Sequence, residues 1–248
     1  MIFEQNSSLK KFAQYTPVTF GLIVAVTIMF LLTVVTGGFT WQNLLRLGAL
    51  DTRLVYHQNE YWRLFTVMFL HADLMHYLFN TFFGLFLISS ALERLIGSKK
   101  FALIYFLSGL GASAVIFLVS VITGQPSFGV GASGAIYGVL GALLFLTAYK
   151  SQWFHPKDIS SIRGLIFINI IFTFLVPNIS VSAHIGGLIS GFLLTAIINP
   201  ERYVRHRKKG FEDPYDPYAH EKKIRSDDPF DYIEIVDDDD DDDDRRVW

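Results

Sequence analysis

Two short motifs contain the side chains best suited to chemistry: Gly131-Ala132-Ser133-Gly134 and Ala183-His184-Ile185-Gly186-Gly187. Each opens a long apolar segment, where a polar side chain is costly unless it has a task. A serine hydroxyl is a weak nucleophile until a base accepts its proton, and a neutral histidine can do so near pH 7. The two motifs therefore predict a nucleophile, Ser133, and a base, His184, inside a membrane.

A third polar group precedes them in the chain. Asp73 is a plausible N-cap of a helix in which His76 and Asn80 follow at positions i and i+4, on one face. Both can donate N–H groups to an oxyanion, as can the backbone at the start of the helix that Ser133 opens. We expect Asp73 to cap its helix and the site to be a Ser–His dyad, because the segments that follow Ser133 and His184 contain no acidic residue.

The elements that must position these residues are membrane helices. Of the residues, 51% are apolar and the mean hydropathy is +0.36, and Lys100 and Lys150 bracket forty-nine uncharged residues. About 20 apolar residues span a bilayer, and runs this long exclude the strands of a barrel. The sequence predicts an all-α polytopic membrane protein with six transmembrane helices, spans one to six: 18–36, 74–92, 101–121, 133–149, 162–176 and 182–198.

The polar groups of spans two, four and six converge at one depth. At 1.5 Å per residue, His76, Asn80, Ser133 and His184 fall within about 10 Å of the same ends of their helices. Lysine and arginine are concentrated on the opposite side, so the positive-inside rule places both termini in the cytoplasm and the convergent groups at the outer face. If span one were instead a cleaved signal peptide, this asymmetry would be lost; its apolar run is also too long, and no clean cleavage site follows.

Three regions follow from this topology. We expect a cytoplasmic N-terminal segment at 1–17, a six-helix catalytic domain at 18–198 and a cytoplasmic charged tail at 199–248. The tail contains an unbroken aspartate run, Asp237 to Asp244, which predicts a solvated, disordered segment. The chain has no cysteine, which excludes disulfides and thiolate chemistry.

Small residues predict close packing of spans four and six. Gly134, Gly138 and Gly141 share one face of span four, and His184, Gly187 and Gly191 share one face of span six. Tyr137 lies on the face of Ser133 and could stack on the His184 ring. The alternative is ordinary small-residue packing, with the Ser133 hydroxyl bonded back to its own helix.

With these motifs in place, the chain resembles the rhomboid intramembrane proteases of the six-span bacterial form, over residues 18–198. The resemblance is carried by Gly131–Gly134, Ala183–Gly187, His76 with Asn80, Trp62-Arg63 and Glu93 with Gly97. It implies Ser133 as nucleophile, His184 as base, His76 and Asn80 at the oxyanion hole, and Tyr137 packed on His184. It also implies a bacterial inner membrane. Val130 departs from the family pattern, in which glycine is expected.

Two segments have open interpretations. The loop at 37–73 is rich in aromatics, which fits either a half-submerged support element, as the resemblance implies, or a simple folded surface loop. Span five is short and rich in phenylalanine, which fits either a movable wall or an ordinary lipid-facing helix. His57 and His71 lack the His-Glu-x-x-His pattern of a metalloprotease, and we expect no metal and no cofactor.

The favoured function is a serine endopeptidase that cleaves transmembrane substrates near the outer membrane face. A catalytically silent binder of transmembrane segments is the main alternative, but such proteins usually lack the serine or the histidine. A small transporter would place charges or broken helices at the bilayer midplane. We expect transmembrane proteins and membrane lipid as partners and no nucleic acid, and the sequence leaves the oligomeric state open.

Overall fold

A computed structural model describes residues 8–177 and 179–203, so the expected charged tail lies outside the described residues from 204 onward. The chain folds into a helical bundle with one pair of two-residue strands. Its helices are α1 (Leu9–Tyr15), α2 (Pro17–Gly37), α3 (Trp41–Leu47), α4 (Thr52–Gln58), α5 (Arg63–Thr66), α6 (Leu74–Leu78), α7 (Ser90–Ile96), α8 (Ser98–Thr123), α9 (Ser133–Tyr149), α10 (Pro156–Leu175) and α11 (Val181–Ile198). A π-helix, Phe79–Ser89, joins α6 to α7, and short 3-10 turns follow α5 and α9 at Val67–Phe69 and Ser151–Trp153. The strands β1 (Leu50–Asp51) and β2 (Phe128–Gly129) pair antiparallel.

Among residues 8–177 and 179–203, five helices are long and apolar enough to cross a membrane: α2, the continuous helix Leu74–Ile96, α8, α10 and α11. The sixth apolar helix, α9, has 17 residues and lies at the centre, with most of its side chains buried against α8 and α11. Many large apolar side chains of the outer helices are exposed, as lipid-facing surfaces require. The chain is thus an all-α polytopic membrane protein apart from the two short strands. The count of six spans stays a prediction.

The helix predicted as span five is longer than expected. It begins at Pro156 rather than near 162 and has 20 residues. His155 caps it, since its Nδ1 accepts from the Lys157 N–H, and Pro156 occupies the first turn. The charged residues Lys157, Asp158 and Arg163 interrupt the apolar pattern near the start of the helix. The pattern therefore marks only the apolar part and not the first turns. The expectation of a short span is therefore wrong.

The helix predicted as span two is not α-helical throughout. Only Leu74–Leu78 and Ser90–Ile96 are α-helical, and the eleven residues between them form the π-helix. Asn80 Nδ2 donates to the His76 carbonyl at 2.8 Å, which in an α-helix would accept the Asn80 backbone N–H. Such side-chain competition favours a shift of the backbone hydrogen bonds, and π-helical segments often occur at functional sites.

The loop at 37–73 is a folded element attached to the bundle. β1 pairs with β2, so that Leu50 lies opposite Gly129, and the Gly131 N–H donates to the Val67 carbonyl at 2.9 Å. Inside the loop, the Arg63 guanidinium donates to the carbonyls of Leu45 and Ala49, both at 2.8 Å. These bonds fasten the loop to the segment that precedes Ser133.

A buried carboxylate joins two helices at the other end of the bundle. Glu93 is 1% exposed; its Oε1 accepts from the Val18 N–H at 3.0 Å and its Oε2 from the Thr19 N–H at 2.8 Å. Ser98 Oγ also donates to Oε1, at 2.7 Å. The first N–H groups of a helix have no acceptor within that helix. Glu93 of α7 supplies acceptors for the first N–H groups of α2, and its negative charge is favourable at a helix N-terminus.

Candidate active site

The frame of the site is the contact between α9 and α11. A Cβ atom added at Gly187 would overlap the Gly134 carbonyl oxygen, and one added at Gly191 would overlap that of Gly138. The same holds for Gly141 against the Leu188 carbonyl oxygen. Backbone therefore packs directly on backbone, which small residues allow in membrane helices.

Ser133 is the first residue of α9, at the end of the bundle that carries β2 and the start of α11. Gly131, two residues before it, has φ +131°, a conformation that strains other residues. A Cβ at Gly131 would lie 2.9 Å from His76 Nε2 and 3.5 Å from Ser133 Oγ. Glycine at this position is what lets the His76 ring and the Ser133 hydroxyl approach each other. The side chain of Ser133 is half-buried and makes no hydrogen bond with the described residues.

His184 lies in the first turn of α11 and is 7% exposed. Its ring stacks on Tyr137, with 3.8 Å between ring centroids and 15° between planes. Its Nδ1 atom lies 2.9 Å from Thr173 Oγ1 of α10, while Nε2 has no partner among the described residues. Ser133 and Tyr137 are one turn apart on the same face of α9, so the imidazole stacks on the residue that follows Ser133 on that face.

His76 and Asn80 begin the helix that faces this site. Asp73 Oδ1 accepts from the His76 N–H at 2.8 Å, so the aspartate caps the helix. The Ala72 N–H points to His76 Nδ1 at 3.4 Å, which leaves the proton of a neutral ring on Nε2, the atom next to Gly131. Asn80 is buried and uses one amide N–H on the His76 carbonyl. The second N–H of that amide has no acceptor within the described part of the chain.

Three polar residues near the site are not predicted from the sequence: Thr173, Asn169 and His71. Thr173 contacts His184, and the Tyr137 hydroxyl donates to the Asn169 carbonyl at 2.6 Å. The available signal was an Asn169-x-x-x-Thr173 pair, at i and i+4, in a helix otherwise rich in phenylalanine and isoleucine.

The third missed residue is His71, which is 1% exposed and whose ring nitrogens have no partner in the described part of the chain. Its ring packs edge-on against His76 at 5.2 Å. Burial and, secondarily, the neighbouring His76 lower the pKa of His71 to about 3, so this ring is neutral at physiological pH.

Trp62 and Arg63 lie in the loop and not beside Ser133. The guanidinium of Arg63 packs over the Trp62 ring at 4.4 Å and also pairs with Glu60. Within residues 8–177 and 179–203, no three His, Asp or Glu side chains converge as metal ligands would.

Among the described residues, the arrangement combines a hydroxyl without a hydrogen bond, an imidazole with one nitrogen without a partner, and N–H donors of His76 and α9 near the hydroxyl. The first N–H groups of α9 have no intrahelical acceptor and point toward the region of Ser133. Such a set can transfer a proton from a hydroxyl and hold a developing oxyanion.

Comparison with known proteins shows the family of the chain. The family profile of the Rhomboid domain matches residues 58–201. The chain is 39% identical to the rhomboid protease GluP of Bacillus subtilis over 181 residues, covering 73% of this chain and 34% of that protein. It is 35% identical to RHOMBOID-like protein 1 of Arabidopsis thaliana over 186 residues, covering 68% and 46%.

A third relative is the putative rhomboid protease YdcA of Bacillus subtilis, 36% identical over 138 residues, covering 55% of this chain and 66% of that protein. The chain thus spans about a third to two-thirds of the length of these relatives. The family profile covers more than half of this chain and includes all the helices that bring His76, Ser133 and His184 together. This multi-pass membrane protein therefore belongs to the rhomboid family.

Proposed function

We propose that this chain is an intramembrane serine endopeptidase that uses Ser133 as nucleophile and His184 as base. One observation carries the proposal: the His184 ring stacks on Tyr137, which lies one turn along α9 from Ser133, and its Nε2 has no partner among the described residues. Two Bacillus subtilis relatives bear the name of rhomboid protease, which favours the same activity.

The reaction begins when Ser133 Oγ attacks the carbonyl carbon of the scissile bond and its proton passes to His184 Nε2. The tetrahedral intermediate collapses, and the leaving amine takes the proton from His184. Water then hydrolyses the acyl-enzyme by the same path. Ser133 and His184 need not be hydrogen-bonded at rest, since catalytic hydrogen bonds often tighten only when substrate binds.

The oxyanion is held by the first N–H groups of α9, by His76 Nε2–H and by the second amide N–H of Asn80. Donors aimed at a developing charge are worth most where water is excluded, as in a site within a helical bundle. The position of His76 beside Gly131 and Ser133 supports this role.

The substrates we propose are transmembrane segments cut near the outer membrane face. The lysines at the end of the bundle opposite Ser133 support this orientation, with both termini in the cytoplasm: Lys10, Lys11, Lys99, Lys100, Lys150 and Lys157. A helical substrate shields its peptide bonds, so the segment must unwind locally before Ser133 can attack.

The activity is tested with the full chain in liposomes and a single-span substrate. Ser133→Ala and His184→Ala should abolish cleavage, whereas the exposed-serine variant Ser161→Ala should cleave like wild type. A fluorophosphonate should label wild-type protein and not Ser133→Ala. Residual cleavage above about a few per cent in Ser133→Ala rejects Ser133 as nucleophile. Binding without cleavage by the wild type would support a silent binder instead.

The orientation is tested with single cysteines, for which this cysteine-free chain is well suited. Gln58→Cys in the loop and Lys157→Cys in α10 are both exposed positions. In intact cells, an impermeant maleimide should label Gln58→Cys, and it should label Lys157→Cys only after permeabilisation. The reverse pattern would place the site on the cytoplasmic side.

A further inference from the structure

The geometry points to Thr173 of α10 as the third member of the site, a positioning residue that holds His184 in the tautomer needed to accept the Ser133 proton. This inference rests on the proposed function. It concerns a residue outside the Ser–His pair, on a helix other than the two that carry them.

The contact itself is buried and short. Thr173 Oγ1 lies 2.9 Å from His184 Nδ1, and the two residues are 1% and 7% exposed. Thr173 Oγ1 is also 2.6 Å from the Tyr137 hydroxyl and 2.9 Å from the Asn169 carbonyl. Tyr137 reaches the same carbonyl at 2.6 Å. Four close polar contacts thus join α9, α10 and α11 behind the imidazole.

The number of protons decides the tautomer. Thr173 and Tyr137 each carry one hydroxyl proton, so two of the four contacts can be filled by them. If Nδ1 of His184 carries its own proton and donates to Thr173, a third contact is filled. If Nδ1 is instead an acceptor, one of the two hydroxyl protons must serve it and two contacts stay empty. Lone pairs held this close without a proton between them repel each other, so the arrangement with fewer empty contacts is favoured.

The favoured arrangement is also the reactive one. With the proton on Nδ1, the Nε2 lone pair is free to accept the Ser133 proton, whereas the other tautomer has no lone pair there. The stacked Tyr137 ring limits tilting of the imidazole, and the bond to Thr173 limits its rotation in plane. Thr173 thus does the orienting work that an aspartate does in a Ser–His–Asp triad, without a charge.

A purely structural interpretation exists. A threonine in a helix commonly bonds back to the carbonyl four residues earlier, and Thr173 does so with Asn169. Thr195 of α11 makes the same back-bond to Gly191 at 2.7 Å and is fully buried. Thr195 is not part of the His184 contact network, so it is a matched control for loss of a buried helix back-bond.

The test compares Thr173→Val, Thr173→Ser and Thr195→Val in liposomes, by kcat and KM on a single-span substrate. Thr173→Val should lower kcat by about 10–100-fold with KM changed less than about twofold, a smaller loss than the roughly 10⁴-fold of a triad that loses its carboxylate. Thr173→Ser should recover kcat to within about threefold of wild type, and Thr195→Val should equal wild type. Equal kcat in Thr173→Val and Thr195→Val would overturn the inference.

A second readout is independent of turnover. In ¹⁵N-histidine-labelled protein, the His184 signal, assigned with His184→Gln, should show a protonated Nδ1 in wild type and Thr173→Ser and a mixture in Thr173→Val. An unchanged tautomer in Thr173→Val would also overturn the inference. If Thr173→Val does not fold, Thr173→Ala replaces it in both measurements. A wild type that neither cleaves nor reacts with the fluorophosphonate would reject the proposed function, while the tautomer measurement would still test Thr173.

Discussion

Replacement of Gly187 by alanine tests how closely α9 and α11 must approach. The new Cβ would overlap the Gly134 carbonyl oxygen and lie 3.0 Å from the Gly134 carbonyl carbon. Both neighbours are backbone atoms, which no rotamer change can move. The helices must therefore separate by an amount on the order of 1 Å, and a misplacement of that size costs roughly 10²-fold in rate. Overpacking of this kind also costs about 1–3 kcal/mol in the free energy of unfolding.

The measurements are the rate of fluorophosphonate reaction at Ser133 and unfolding by SDS titration in mild detergent. Gly164→Ala is the matched control, because a Cβ at Gly164 of α10 would meet no atom within 4 Å. That change should leave the rate unaltered and stabilise by up to about 1 kcal/mol through helix propensity. If Gly187→Ala reacts and unfolds like wild type, the backbone contact does not set the geometry of the site.

The other predictions concern the oxyanion, the substrate, a buried carboxylate and a buried histidine. His76→Ala and Asn80→Ala should each lower kcat by about 10²–10³ with little change in KM; a change in KM alone would remove that residue from the oxyanion site. Phenylalanine in place of a small residue before the scissile bond should block cleavage, and leucines in the substrate segment should slow it; equal rates across the series would mean that unwinding does not limit the reaction. Glu93→Gln should lower the free energy of unfolding by about 1–3 kcal/mol, because one buried N–H loses its acceptor, whereas exposed Glu201→Gln should not; equal losses would contradict the cap. The pKa of His71 is lowered from 6.5 to about 3 in the folded protein. Below pH 6.5 the unfolded chain therefore binds more protons than the folded protein, so the free energy of unfolding should fall as the pH drops below 6.5. The loss in Tm between pH 7.5 and 5 should be smaller in His71→Asn, and an equal loss would show that His71 does not resist protonation.

The positions of the apolar helices could largely be predicted from the sequence. The range 133–149 agrees with α9 because Gly131–Gly134 and Lys150 bound one uninterrupted apolar run. The range 182–198 differs from α11 by one residue at its start. Charge and glycine mark helix ends directly in the chain, so these bounds need no knowledge of tertiary contacts.

The features that were missed depend on contacts between helices or on competition within one. Apolar composition alone does not show that the first turns of α10 carry Lys157, Asp158 and Arg163 beyond the apolar part. The π-helix is accompanied by a side-chain bond between Asn80 and the His76 carbonyl, and the spacing of apolar residues does not predict such a bond. Thr173 meets His184 only because α10 crosses behind α11 at that level, and such crossings are set by packing.

The candidate site itself shows the same division. The sequence pattern could name Ser133, His184, His76 and Asn80 because polar residues are rare in apolar helices. It could not name His71, which lies in the connection before α6 and is buried by its neighbours alone. Burial of a loop residue depends on the folded chain and gives no repeating pattern of apolar residues in the sequence.

The bond from the Gly131 N–H to the Val67 carbonyl, together with the β1–β2 pair, has a consequence for biogenesis. During synthesis, the loop that contains Val67 leaves the ribosome and crosses to its side of the membrane well before α9 is made. The backbone just ahead of Ser133 can make these bonds only once the loop lies on the same side of the membrane. A chain whose loop stays on the wrong side can insert every helix and still lack a shaped nucleophile turn. If the proposed activity holds, correct insertion of the loop is then a precondition for reactivity at Ser133.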